Sequence, residues 1–90
     1  MIKIEIGQRL IKSSRRQPEL ASELEKILAL IARDFGKPHQ HAGLGLRKIA
    51  PRSYEARIGL HLRIVLVHLP DRLLAYDLMT HEQVRVWLKR

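Results

Sequence analysis

Tyr54–Leu78 reads YEARIGLHLRIVLVHLPDRLLAYDL, and the spacing of its apolar residues decides the fold. Tyr54, Ala56, Ile58 and Leu60 alternate with Glu55, Arg57, Gly59 and His61, the period of two expected of a strand with one covered face. Leu62–Leu69 is apolar except at Arg63 and His68, which marks a central strand covered on most of both faces. Pro70 and Asp71 are turn residues, and Leu73–Leu78 makes the next strand. Residues 54–78 are therefore expected to form an antiparallel meander with short turns.

On the C-terminal side, Thr80 followed by Gln83 fits a capping box, in which side chain and backbone of the two residues satisfy each other at a helix start. Val84, Trp87 and Leu88 then give a short terminal helix its buried side. On the N-terminal side, Lys37–Arg52 carries Pro38, His39, His41, Gly43, Gly45 and Pro51, a loop composition with room for a short strand at Leu44–Ile49. Before it, Leu20, Leu24, Ile27, Leu28, Ile31 and Phe35 recur on one helical face behind Pro18, a favoured helix start. Glu19, Glu23 and Glu25 suit the positive end of that helix, and Gly36 and Pro38 stop it. Gln8–Arg16 reads as a shorter helix with Leu10 and Ile11 buried and a basic outer face, so 8–16 and 18–35 form a helix hairpin. Ile2, Ile4 and Ile6 alternate with Lys3 and Glu5 as a first strand, ended by Gly7. The fold expected is α+β over a single domain, 1–90: an N-terminal strand and helix hairpin packed on an antiparallel sheet, with a short C-terminal helix.

Ninety residues leave room for one core only, and so small a core gains from a partner that covers apolar surface. Seventeen Lys and Arg against nine Asp and Glu leave a formal charge of +8. On so small a surface this attracts polyanions, an acidic partner protein among them, although a merely solvated cationic surface has the same composition. The absence of cysteine excludes disulfides, thiolate nucleophiles and sulfur-ligated zinc. Met1–Leu10 alternates instead of forming an apolar signal core, and no run is long enough to span a bilayer, so a soluble cytoplasmic protein without membrane contact is expected.

Arg57 and Arg63 interrupt apolar stretches on adjacent expected strands. A guanidinium there must be paired or face a groove, because burying it alone costs several kcal/mol. Glu55 or Asp77 can supply the pairing as a structural salt bridge; a bound anion is the alternative. His81 stands where the last strand gives way to the last helix, and imidazole suits proton transfer near neutrality, although a histidine there is commonly a plain surface residue. His39 and His41, with His61 or His68, make a weak metal pattern without carboxylate or cysteine neighbours. Gly43 and Gly45 lack the surroundings of a phosphate loop.

The order strand, two helices, then strands and a final helix, the segments Tyr54–Gly59 and Leu62–Leu66, and the ending Thr80–Arg85 together resemble the RelE/ParE toxin superfamily. The resemblance spans nearly the whole chain. It implies the toxin component of a type II toxin–antitoxin system, a ribosome-dependent mRNA endoribonuclease that inhibits translation without a metal or other cofactor. Its partners would be the ribosome, mRNA and a cognate antitoxin protein. The catalytic set implied is Arg57 and Arg63 on phosphate, His81 as proton donor or acceptor, and Glu55 assisting the attacking hydroxyl. RNA contacts are expected from Arg9, Lys12, Arg15 and Arg16 on the first helix and from Arg85 and Trp87 near the C-terminus, although an aromatic spaced as Trp87 is with Val84 and Leu88 is more often packed inward as core. Glu55 and Ala56 stand where many ribosome-dependent members carry lysine. The alternatives are a ParE-like DNA gyrase inhibitor and a non-catalytic basic RNA-binding module.

Overall fold

The computed structural model describes residues 1–89. The chain forms β1 (Ile4–Ile6), α1 (Gln8–Arg15), α2 (Ala21–Asp34), the one-turn α3 (Pro38–His41), β2 (Leu46–Ala50), β3 (Ser53–Ile58), β4 (Leu62–Leu69), β5 (Arg72–Thr80) and α4 (His81–Leu88). Short 3₁₀ turns at Pro18–Leu20 and Ala42–Leu44 lead into α2 and out of α3. The helix expected at 18–35 is thus a 3₁₀ entry plus α2, and the glycine- and histidine-bearing segment contains both a helical turn and the short strand β2.

The sheet has five strands in the order β1-β5-β4-β3-β2, with β4 at its centre. Strands β3 to β5 form the expected antiparallel meander, and β2 extends it by pairing antiparallel with β3. β1 runs parallel to β5, with Ile4 opposite Leu73 and Ile6 opposite Ala75, so the sheet is mixed where an antiparallel one was expected. The alternation of Ile2, Ile4 and Ile6 carries no information on strand direction, and of the three only Ile2 and Ile4 pack against the core while Ile6 is exposed. β3 stops at Ile58 instead of Leu60 because Gly59, at φ +61°, turns the chain toward β4.

The helix pair covers one face of the sheet. Leu10 of α1 and Ile31 of α2 are fully buried there against Leu46, Ala56, Ile58, Ile64, Leu66, Leu73, Ala75 and Leu78. Each leucine or isoleucine among them contributes roughly 1.5–3 kcal/mol of transfer free energy on burial. On the opposite face α4 buries Val84 against Val65 and Met79, with Ile49, Tyr76 and Trp87 at the margin. The parity of β5 changes partway: Val65 pairs with Asp77 but Leu66 with Ala75, leaving Tyr76 as an extra, bulged residue. That bulge lets Ala75 and Leu78 both join the main core while Met79 joins the cluster under α4.

The start of α4 is closed as the sequence spacing predicts. Thr80 Oγ1 accepts the Gln83 N–H at 3.1 Å, and Gln83 Oε1 accepts the Thr80 N–H at 2.8 Å. His81 is consequently held at a fixed junction of strand and helix. Among the described residues no helix is long and apolar enough to cross a membrane.

Candidate functional site

Arg57 and Arg63 are direct cross-strand partners in the β3–β4 register. Their side chains therefore leave the same face of the sheet, about 5 Å apart at the backbone. Like charges so placed repel, and the nearest relief is Glu55, two residues before Arg57 on β3 and hence on the same face. The Glu55 side chain is 6% exposed; its Oε2 accepts from Arg47 Nε at 2.8 Å and lies 3.8 Å from Arg63 Nε. Arg63 is 18% exposed and also donates through Nη1 to the carbonyl of Leu62 at 3.2 Å. Arg57 is exposed and has no ion pair among the described residues. Two guanidinium groups, Arg47 and Arg63, thus meet one buried carboxylate, and Arg57 on the same face brings the net charge of the group to about +2.

Arg47 is the member of this group that sequence reading missed. It lies opposite Glu55 in the β2–β3 register, on the short strand expected near Leu44–Ile49, whose pairing partner the sequence did not indicate. The available signal was the alternation within Leu46–Ala50, whose outward positions hold Arg47 and Ile49.

Met79 lies opposite Arg63, and Leu62 opposite Thr80, so β5 gives way to α4 at the end of the sheet that carries the arginine pair. His81, the first residue of α4, is exposed there. Asp77, which the sequence offered as a partner for the strand arginines, turns elsewhere. It accepts from Ser13 Oγ at 2.5 Å and from the Leu78 N–H at 2.8 Å, with Arg9 Nε at 3.5 Å.

The residues expected to contact RNA divide into two groups. Arg9, Lys12 and Arg16 follow one another along one face of α1 and the residue after it, and they line a cleft of about 750 Å³ between α1 and α4. Arg15, exposed, is not among the residues lining it. Across the cleft stand Glu82, Gln83, Val86 and Trp87. Arg85 lies 3.4 Å from Glu82 along α4. Trp87 is half-buried with its ring 5.5 Å from that of Tyr76, while the Arg9 guanidinium sits over the Tyr76 ring at 5.6 Å.

Two of the other histidines, His41 and His68, have local partners. His41 stacks on Phe35 and its Nε2 accepts the Gly36 N–H at 3.2 Å, and His68 meets the same phenylalanine edge-on at 4.9 Å. Among the described residues, His and carboxylate side chains do not gather in threes at metal-binding distance. No family model, curated protein or solved structure matches the chain.

Proposed function

We propose that this chain is a RelE-like toxin of a type II toxin–antitoxin system, acting as a ribosome-dependent mRNA endoribonuclease. The observation that carries the reading is the register. Arg57 faces Arg63 across β3 and β4, and the neighbouring pair Leu62–Thr80 leads straight to His81. Residues that are far apart in sequence thereby share one end of the sheet, with a cationic surface.

The chemistry follows from those groups. The ribose 2′-oxygen forms a bond to the adjacent phosphorus as the bond to the 5′-oxygen breaks, the 2′-proton leaves, and a proton reaches the departing oxygen. Charge accumulates on the phosphoryl oxygens in the transition state, where paired guanidinium donors are well matched to it. Arg57 and Arg63 hold the phosphate in this scheme. His81 takes or delivers a proton near neutral pH. Glu55 is engaged by Arg47 and Arg63, so we assign it the positioning of those guanidiniums instead of proton transfer from the hydroxyl. The surplus of positive charge steers the protein to ribosomal RNA through contacts that weaken with salt. A cognate antitoxin would cover the cationic surface and restrain the activity.

The test is inducible expression in a bacterium of wild type beside His81→Ala and Arg63→Ala, with transcript ends mapped. Growth arrest with cleaved messages for wild type, and intact messages for both variants, supports the nuclease. Arrest that persists in His81→Ala with uncut messages transfers the assignment to a gyrase-type inhibitor, and the absence of arrest in wild type removes the toxin reading.

A further inference from the structure

The cleft between α1 and α4 is lined by five charged side chains, and their pairing decides what it can hold. Arg9 is committed to Asp77 and to the Tyr76 ring, and Glu82 is committed to Arg85 outside the lining. Lys12 and Arg16 remain, exposed and without ion partners among the described residues, on one wall of the same cleft. The site thus offers two uncompensated cations over a floor of Tyr76, Leu78, Met79 and Leu62. An anion with a flat or apolar part fits that composition.

Position selects among such anions. β1 pairs with β5 only as far as Ala75, so beyond that point the edge of β5 is open to the cleft. An added peptide strand would need the free edge groups of β5, but the Leu78 N–H is already taken by the Asp77 carboxylate, which also anchors Ser13 of α1. Strand addition is therefore blocked at the bulge. Met79, in the floor, is the register neighbour of Arg63, and Leu62 adjoins Arg63 in sequence, so the cleft begins one strand away from the arginine pair. The cleft therefore lies on the side of the arginine pair toward which a nucleic acid strand seated on that pair would continue.

We propose that this cleft is a second phosphate site, in which Lys12 and Arg16 hold a phosphodiester of single-stranded RNA adjoining the one on Arg57 and Arg63. The proposal rests on RNA as the target, as under the proposed function, but not on cleavage. Asp77 acts as a positioning residue: it fixes α1 through Ser13 and Arg9 so that Lys12 and Arg16 face the cleft.

The only tryptophan of the chain, Trp87, lines this cleft, so its fluorescence reports occupancy directly. The experiment titrates the purified full chain with a 2′-O-methyl oligoribonucleotide, which lacks the attacking hydroxyl and stays intact, at several salt concentrations. For wild type the Trp87 emission should change on binding. The double variant Lys12→Ala and Arg16→Ala should bind about tenfold more weakly, with a log K against log salt slope smaller by about 0.7 for the lost phosphate. Arg57→Ala with Arg63→Ala should retain the Trp87 response while losing message cleavage. Asp77→Asn should weaken binding with Lys12 and Arg16 intact. Unmoved Trp87 emission, or equal affinity and slope for the Lys12/Arg16 variant, overturns the proposal. So does a poly-glutamate peptide that shifts Trp87 as strongly as RNA, which would assign the cleft to an acidic protein segment. Failure of the nuclease reading would appear separately, as uncut messages from wild type that still binds the oligonucleotide.

Discussion

Exchanging Glu55 for glutamine removes one negative charge from among three guanidinium groups while keeping the shape of the side chain. The bond to Arg47 contributes little, because Arg47 is 67% exposed and such pairs are worth about 0.2–1 kcal/mol. The loss falls mainly on Arg63. It is 18% exposed, faces Arg57 across the strand, and would be left without its countercharge. Breaking a fully buried pair by removing one partner costs about 3–5 kcal/mol. The 3.8 Å separation and the residual exposure of Arg63 reduce that, and a loss of roughly 2 kcal/mol is expected. For a domain of this size each kcal/mol moves Tm by about 4–8 °C, so Glu55→Gln should melt roughly 8–16 °C below wild type. The same change frees Arg63 for phosphate, so the variant should bind a single-stranded oligonucleotide more tightly, and bound oligonucleotide should close part of the Tm gap. Thermal unfolding followed by circular dichroism, with and without the oligonucleotide, reads both effects. A variant whose Tm stays within about 3 °C of wild type, the range of a neutral surface change, refutes the reasoning. A stable variant that binds RNA normally yet cuts no message would make Glu55 the proton acceptor instead.

Thr80→Ala removes one half of the capping box and should cost about 1 kcal/mol, read as a Tm lower by about 4–8 °C with the oligonucleotide affinity of the arginine pair little changed. Gly59→Ala places a side chain at φ +61° with the Leu20 Cδ2 atom at 3.4 Å, and a loss of about 1–2 kcal/mol in urea unfolding is expected; an unchanged midpoint would contradict the turn geometry. Arg33 donates to both carboxylate oxygens of Asp34 and holds that carboxyl below the usual carboxylate range, chiefly through those hydrogen bonds. The stabilisation is therefore complete above the unfolded aspartate pKa of about 3.9 and is lost as pH falls through the lower folded value. Asp34→Asn should accordingly melt below wild type at neutral pH, with the gap closing in more acid solution, and a gap that persists down to about pH 2 would show that Asp34 acts through packing alone. His81→Ala should leave Tm within about 3 °C of wild type, since His81 is exposed, while abolishing message cleavage.

Legibility in the sequence tracked the range of the interaction. The meander, the α2 stripe and the Thr80–Gln83 cap are written in patterns a few residues long, and each appears where its spacing puts it. The parallel seating of β1 and the bulge at Tyr76 are not, because alternation is blind to direction and a bulge looks like one more apolar or polar residue in the run LLAYDLM. The division of the cations is harder still. With 17 basic residues and nine acidic ones, each carboxylate determines which cations are spent and which stay available. Several of those choices are made between different elements: Asp77 reaches Ser13 and Arg9 of α1, Glu5 takes Arg72 of β5, and Glu55 draws on Arg47 and Arg63 from the strands on both sides. A helical wheel would have grouped Arg9, Lys12 and Arg16, but it gives no reason to separate Arg9 from the other two. Only the tertiary position of Asp77 does that, and it leaves Lys12 and Arg16 as the uncompensated pair in the cleft beside Arg63. In a chain with so large a cationic excess, the scarce acids therefore decide which cations stay uncompensated as much as the abundant bases do.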